Sequence, residues 1–285
     1  MRWENGRRSE NIEDRRGMSA GRRGLVGGGI GAIILALVAM YFGVDPSVVL
    51  NQAGEVAQTQ AQQPAPGASP EEEKLKDFVS VVLADTEDVW GAVFQASGQR
   101  YTQPKLVLFS GAVQSACGFA EAAMGPFYCP ADHKLYLDMS FFNDLAQRYD
   151  APGDFAQAYV VAHEVGHHVQ TLLGISDQVQ AARGRADEVR GNALQVRMEL
   201  QADCFAGVWA YHANQARHVL EPGDAEEALA AAAGVGDDRL QKQARGYVVP
   251  DAFTHGTSEQ RMRWFSRGME RGDPGQCDTF KAARL

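Results

Sequence analysis

The alternation of apolar and polar positions divides the chain into stretches of different character. Residues 24–44 read GLVGGGIGAIILALVAMYFGV without a charge, and a helix of that length, rising 1.5 Å per residue, spans the roughly 30 Å hydrocarbon layer of a bilayer. The stretch that follows contains NQAGEVAQTQAQQPAPGASP, which has almost no large apolar residue. It buries too little surface to offset the entropy of ordering and reads as a flexible linker. Helical periodicity sets in behind Glu71, Glu72 and Glu73, with Leu75, Phe78, Val79, Val82, Val89, Trp90 and Val93 recurring at helical spacing. Strand formers dominate KLVLF (105–109) and FYCPADHKLYL (127–137), the second with a turn at Pro130, Ala131 and Asp132. Beyond them the pattern predicts helices over residues 154–173, 187–213, 224–233 and 258–271, with Ser258 a candidate cap of the last. A few strands followed by a run of helices is an α+β arrangement, mainly helical with a small β-sheet. The KLYLD strand fits equally an edge along which a peptide could lie and an inner strand.

Charge sharpens this division. The formal net charge is −9, from 27 Lys+Arg and 36 Asp+Glu, which leaves no cation excess for nucleic-acid phosphates. Residues 1–23 nevertheless carry seven arginines against four acids, a balance of +3, so the remainder totals −12. Arg15, Arg16, Arg22 and Arg23 precede the apolar run, and no Lys or Arg follows until Lys74. The positive-inside rule then expects a cytoplasmic N-terminus and an exported remainder. No small-x-small cleavage site lies near Tyr41 and Phe42, so the run reads as an uncleaved anchor. The expected organisation is a basic cytoplasmic arm (1–23), one transmembrane helix (24–44), a flexible linker (45–73) and a single domain (74–285). Cys117, Cys129, Cys204 and Cys277 all follow the anchor and would meet an oxidising compartment. Three pairings are open. Cys117 with Cys129, closing a short loop, and Cys204 with Cys277, stapling the C-terminal segment to the 187–213 helix, are favoured.

The chemistry concentrates in His163-Glu164-Val165-Gly166-His167. Residues at i and i+4 of a helix share a face, so His163 and His167 can bind one Zn²⁺ ion while Glu164 lies beside the open coordination position. A catalytic zinc takes a third protein ligand. A metzincin arrangement would need glycine at position 170 and histidine at 173, which hold Gln170 and Leu173. The alternative lies on the next long helix, where Glu199 and Asp203 are again four apart amid Met198, Leu200, Ala202, Phe205 and Trp209. Carboxylates on so apolar a helix need partners. Glu199 is the expected third ligand, and Asp203 the acceptor that orients a ligand histidine. His168, about 100° around the helix from His167, is off the ligand face, and His133 beside the strand turn is expected to be exposed.

HEVGHHVQ, RMELQADCFAGVWA, DDRLQKQ and THGTSEQRMRWF together resemble the neutral zinc metallopeptidase family of bacterial proteins, with a short N-terminal segment, one membrane anchor and a gluzincin-type, zincin-like domain. The resemblance implies His163, His167 and Glu199 as zinc ligands, Glu164 as catalytic acid/base, and one catalytic zinc ion. It implies a peptide or protein substrate and a single-pass location in the bacterial inner membrane, catalytic domain outside. His255 matches in position a histidine downstream of the zinc ligands in related gluzincins and is the candidate to stabilise the oxyanion. A non-catalytic, zinc-stabilised binding or scaffold protein on the same fold is the rival, disfavoured because a structural site needs no general base beside an open position. Nothing in the sequence fixes the oligomeric state.

Overall fold

The structure, a computed structural model, describes residues 1–17 and 69–285. The expected transmembrane helix at 24–44 and most of the linker lie outside the described residues, among which no helix is long and apolar enough to cross a membrane. Helix α1 (Pro70–Ala96) starts inside the span expected for the linker, at a capping box. The Ser69 hydroxyl accepts the Glu72 N–H and the Glu72 carboxylate accepts the Ser69 N–H, so two end groups of the helix are satisfied reciprocally.

The main sheet has the order β1 (Ile12–Asp14), β2 (Lys105–Phe109), β6 (Lys134–Asp138), β5 (Phe127–Cys129). Strands β2 (Lys105–Phe109) and β6 (Lys134–Asp138) pair in parallel, and β5 (Phe127–Cys129) runs antiparallel to β6 at one edge. KLYLD is therefore an inner strand, and the edge belongs to β5. A separate hairpin, β3 (Ala112–Ser115) and β4 (Gly118–Glu121), was not apparent from the sequence because its alternation is too short to register.

The other outer strand changes the expected domain organisation. Strand β1 (Ile12–Asp14) pairs in parallel with β2, Ile12 opposite Leu106 and Asp14 opposite Leu108. Its neighbours extend the ladder: Asn11 O accepts from Leu106 N and Arg15 N donates to Leu108 O, both at 2.8 Å. Met1 and Trp3 are buried in the main core, and Trp3 meets Phe78 of α1 edge to face at 5.4 Å. Residues 1–17 are thus part of the folded unit. The division into an arm ending at 23 and a domain starting at 74 does not describe it.

The helical half contains α2 (Phe141–Gln147), α3 (Asp154–Leu172), α4 (Ile175–Arg183), α5 (Glu188–Arg217), α6 (Asp224–Gly234), α7 (Asp237–Arg245) and α8 (Ser258–Arg271). Helices α3, α5, α6 and α8 follow the apolar periodicity. Helix α7, DDRLQKQAR, escaped it because Leu240 is its one large apolar residue. Thr257, and not Ser258, caps α8 in a capping box with Gln260; the Ser258 hydroxyl donates instead to Ala233 O. Helix α3 receives a cap from another element: its Phe155 N–H donates to the Glu227 carboxylate of α6 at 3.1 Å.

Helix α5 packs against both α3 and α8, at closest approach through glycines. A Cβ on Gly166 of α3 would stand 3.0 Å from Ala202 Cα, so close that α5 would have to give by a few tenths of an ångström. On the opposite side, a Cβ on Gly268 of α8 would collide with the Cys204 carbonyl of α5. Because backbone cannot yield as a flexible side chain can, Gly268→Ala should lower stability by roughly 1–3 kcal/mol or more. The measurement is the urea midpoint at unchanged slope; an unshifted midpoint would refute the close approach.

Candidate metal centre

Helices α3 and α5 bring three donor atoms together. His163 Nε2 lies 3.2 Å from Glu199 Oε2, and His167 Nε2 lies 3.4 Å from the same oxygen. The three residues form a group whose donor atoms all lie within 4.8 Å of one another. His163 and Glu199 are buried and His167 is half-buried. Glu164, half-buried, follows His163 on the same helix.

The opposite ring nitrogens are already committed. His163 Nδ1 stands 2.8 Å from Asp203 Oδ1, and a carboxylate only accepts, so Nδ1 carries the hydrogen. His167 Nδ1 stands 2.8 Å from Gln170 Oε1. The Gln170 amide nitrogen donates to Met198 O and to Gln201 Oε1, so its oxygen is the acceptor and His167 Nδ1 the donor. Both Nε2 atoms are then left with lone pairs facing one carboxylate oxygen. The other oxygen, Oε1, accepts from Gln195 at 2.7 Å. Two imidazole lone pairs and a carboxylate oxygen aimed at one point need a cation between them, and two nitrogens with one oxygen suit zinc.

Asp203 is fully buried and collects donors from two helices. Its Oδ1 accepts from Tyr159 Oη at 2.5 Å, from His163 Nδ1 and from Arg261 Nη2 at 2.8 Å, while Oδ2 accepts from Arg261 Nε at 2.8 Å. Burial alone would raise its pKa, but the charges of Arg261 and His163 and their hydrogen bonds hold it well below the usual carboxylate range. Burial also raises the Tyr159 hydroxyl well above its ordinary value, keeping it a donor. Tyr159, Gln170 and Gln195 were not singled out as site residues from the sequence. For Tyr159 a signal existed: it lies four residues before His163, on the stripe that continues to His167.

His255 lies in the loop before α8, its ring half exposed. One carboxylate oxygen of Asp237, the first residue of α7, accepts the backbone N–H groups of Thr254, His255 and Gly256, and the other oxygen lies 3.3 Å from His255 Nδ1. Burial would lower the His255 pKa, but the hydrogen bond to Asp237 and the charge of Glu199 raise it. Asp237 is a further residue the sequence did not single out. His168 is off the ligand face and fully buried: Nε2 donates to Thr102 O at 2.6 Å, and Nδ1 accepts from Tyr128 Oη of β5 at 3.1 Å. Burial pushes it down to about 4, so it stays neutral. His133 is exposed. Both favoured disulfides are formed, Cys117 with Cys129 and Cys204 with Cys277.

Residues 1–280 match the family described as "Putative neutral zinc metallopeptidase". The chain belongs to this family. Similar to it are the protein named "Uncharacterized protein YpfJ" of Escherichia coli K12, 51% identical over 98% of this chain and 99% of the relative. Others are "Uncharacterized protein Mb2605" of Mycobacterium bovis and "Uncharacterized protein Rv2575" of Mycobacterium tuberculosis H37Rv, each 43% identical over 87% of this chain and 86% of theirs. No solved structure matches the chain. Membership in the neutral zinc metallopeptidase family implies zinc, and His163, His167 and Glu199 form the group that could hold it.

Protons compete with the metal here. Without a cation, burial would lower His163, but the charge and hydrogen bond of Asp203 and the hydrogen bond of Glu199 outweigh it and raise His163 to about 9. His167 is raised too, burial being outweighed by Glu199. At neutral pH a bound metal must displace these protons, so zinc affinity of the metal-stripped protein should rise with pH toward about 9 and fall as pH drops below it. Calorimetric titration in buffers of different ionisation enthalpy reads the released protons; pH-independent affinity would contradict the arrangement. Asp203→Asn, which turns an obligate acceptor into a partial donor, should weaken zinc binding about 10–100-fold.

Proposed function

We propose that this member of the family is an active zinc-dependent peptidase of the gluzincin, endopeptidase type, attached to the bacterial inner membrane through residues 24–44. The observation that carries the reading is the convergence of His163 Nε2, His167 Nε2 and Glu199 Oε2, each held from behind, next to Glu164 on the same helix. Zinc in such a site supplies Lewis acidity, polarising a carbonyl and acidifying water.

The chain's own groups supply the rest. Glu164 takes a proton from the attacking water and returns it to the departing amine. His255, pinned through its loop by Asp237, offers a hydrogen bond to the oxygen on which negative charge develops. β5, an outer strand of the sheet that packs on α3, is the strand on which an extended peptide would pair through backbone hydrogen bonds. Two disulfides in the domain favour an oxidising, extracytoplasmic location, with envelope proteins as the substrate pool.

Glu164→Gln in the full chain separates catalysis from metal binding. Zinc content should stay at the wild-type level while cleavage of an unfolded protein substrate falls by roughly 10²–10⁴-fold. Equal turnover by the variant would remove Glu164 from the mechanism. Stoichiometric zinc with no cleavage by the wild-type protein would favour a zinc-stabilised binding protein instead. Glu199→Ala should lose zinc; retained zinc would sink its assignment as third ligand.

A further inference from the structure

The positive-inside reading assigned the arginines of the N-terminal segment to the cytoplasm. In the structure, each described arginine of that segment has a carboxylate partner in the folded unit. Arg7 reaches Glu87 at 2.9 Å and Asp88 at 2.8 Å on α1, and Arg8 grips Asp77 on α1 with two hydrogen bonds, of 2.8 and 2.6 Å. Arg16 binds Asp14 at 2.5 Å and Glu73 at 2.6 Å, Arg15 binds Glu13, and Arg2 lies 3.6 Å from Glu221. Lys134 of β6 reaches across the sheet to Glu13 at 2.8 Å. The N-terminal ammonium of Met1 lies 2.6 Å from Asp154 and 3.4 Å from Asp224.

Glu87 makes the point most sharply. Its side chain has no solvent exposure, and its donors come from the N-terminal segment: Arg7 Nη2 at 2.9 Å, Ser9 Oγ at 2.6 Å and Asn11 Nδ2 at 2.8 Å. With the segment across a membrane, this carboxylate would lose all three of these partners, and the edge of β2 would lose its paired strand. An arrangement of strand pairing, two buried apolar side chains and a filled buried carboxylate is that of an integral element, not of a loose tail. The family match also runs through it, from residue 1.

We infer that residues 1–17 lie on the same side of the membrane as residues 69–285, so that the chain does not cross a bilayer an odd number of times between them. The single-pass arrangement with a cytoplasmic N-terminus is then replaced by one in which the N-terminal strand belongs to the same compartment as the metal centre. The described arginines, Arg2, Arg7, Arg8, Arg15 and Arg16, then serve as ion-pair partners within the folded unit. This inference does not depend on catalysis.

The test uses the full chain in bacterial cells. Glu10→Cys and, separately, Lys242→Cys place a thiol on exposed positions of the segment and of α7. Each is probed with a membrane-impermeant maleimide on spheroplasts before and after permeabilisation. Both thiols labelled before permeabilisation, or both only after it, is the expected pattern, since each places them in one compartment. One labelled before and the other only after would overturn the inference. A second measurement reads the contact itself in the membrane-extracted protein. A short bismaleimide should join Arg8→Cys to Asp77→Cys, and proteolysis should recover residue 8 linked to the α1 peptide of the same chain; loss of that linked peptide, with both thiols reactive, would also overturn it.

Discussion

A carboxylate sealed from water must have its oxygens filled, and Asp203 is the point at which three helices meet that requirement. Tyr159 and His163 come from α3, Arg261 from α8, and the acid itself from α5. Removing one partner from a buried charge of this kind costs about 3–5 kcal/mol, because the remaining charge is left uncompensated. The cluster therefore fixes the rotation of α5 about its axis relative to α3. Glu199 lies one turn before Asp203, so the same rotation that delivers Asp203 to His163 Nδ1 delivers Glu199 to the two Nε2 atoms. The candidate metal centre and the ionic junction of the helices are one construction.

Helix geometry explains which parts of this were legible in the sequence. The spacing of His163 to His167, and of Glu199 to Asp203, is a local property of one helix, so the shared faces could be read directly. That the two faces would meet was an argument from buried charge, since carboxylates amid Leu200, Ala202 and Phe205 needed partners. The groups that complete the centre come from elsewhere in the chain or from residues whose role depends on tertiary contact. Arg261 is 58 positions from Asp203, and Gln170 had been noted only for not being the glycine of another zinc arrangement. Asp237 opens a helix with hardly any apolar residue, which owes its place to hydrogen bonds that Asp237 makes to the 254–256 loop.

The N-terminal strand was illegible for a different reason. Three residues carry no usable period, and arginines before an apolar stretch are read first as a membrane-orientation signal. The charge imbalance is +3 in residues 1–23 against −12 beyond, and within residues 1–17 the cations are matched by complementary acids. Glu73, Asp77, Glu87 and Asp88 line the side of α1 that Arg7, Arg8 and Arg16 meet. Exposed pairs of this sort stabilise little one by one. Their contribution here is to choose the register of a segment whose apolar anchors, Met1 and Trp3, would otherwise specify only burial.

Strand order also bears on how a peptide could reach the metal. A sheet edge attracts another strand unless something discourages it, and charged side chains on a very short strand are one such deterrent. The β1 edge has three residues, IED, bracketed by Glu10, Arg15 and Arg16. The β5 edge, FYC, carries no charge, and β5 packs against α3. His168 ties this end of the sheet to α3 through Tyr128 Oη and the Thr102 carbonyl, and because it is neutral the tie does not depend on a charge near the metal. With β1 covering β2, β5 is the outer strand at the end of the sheet that packs on α3. The N-terminal segment, remote from the candidate centre in sequence, thus decides which strands are outermost in the sheet.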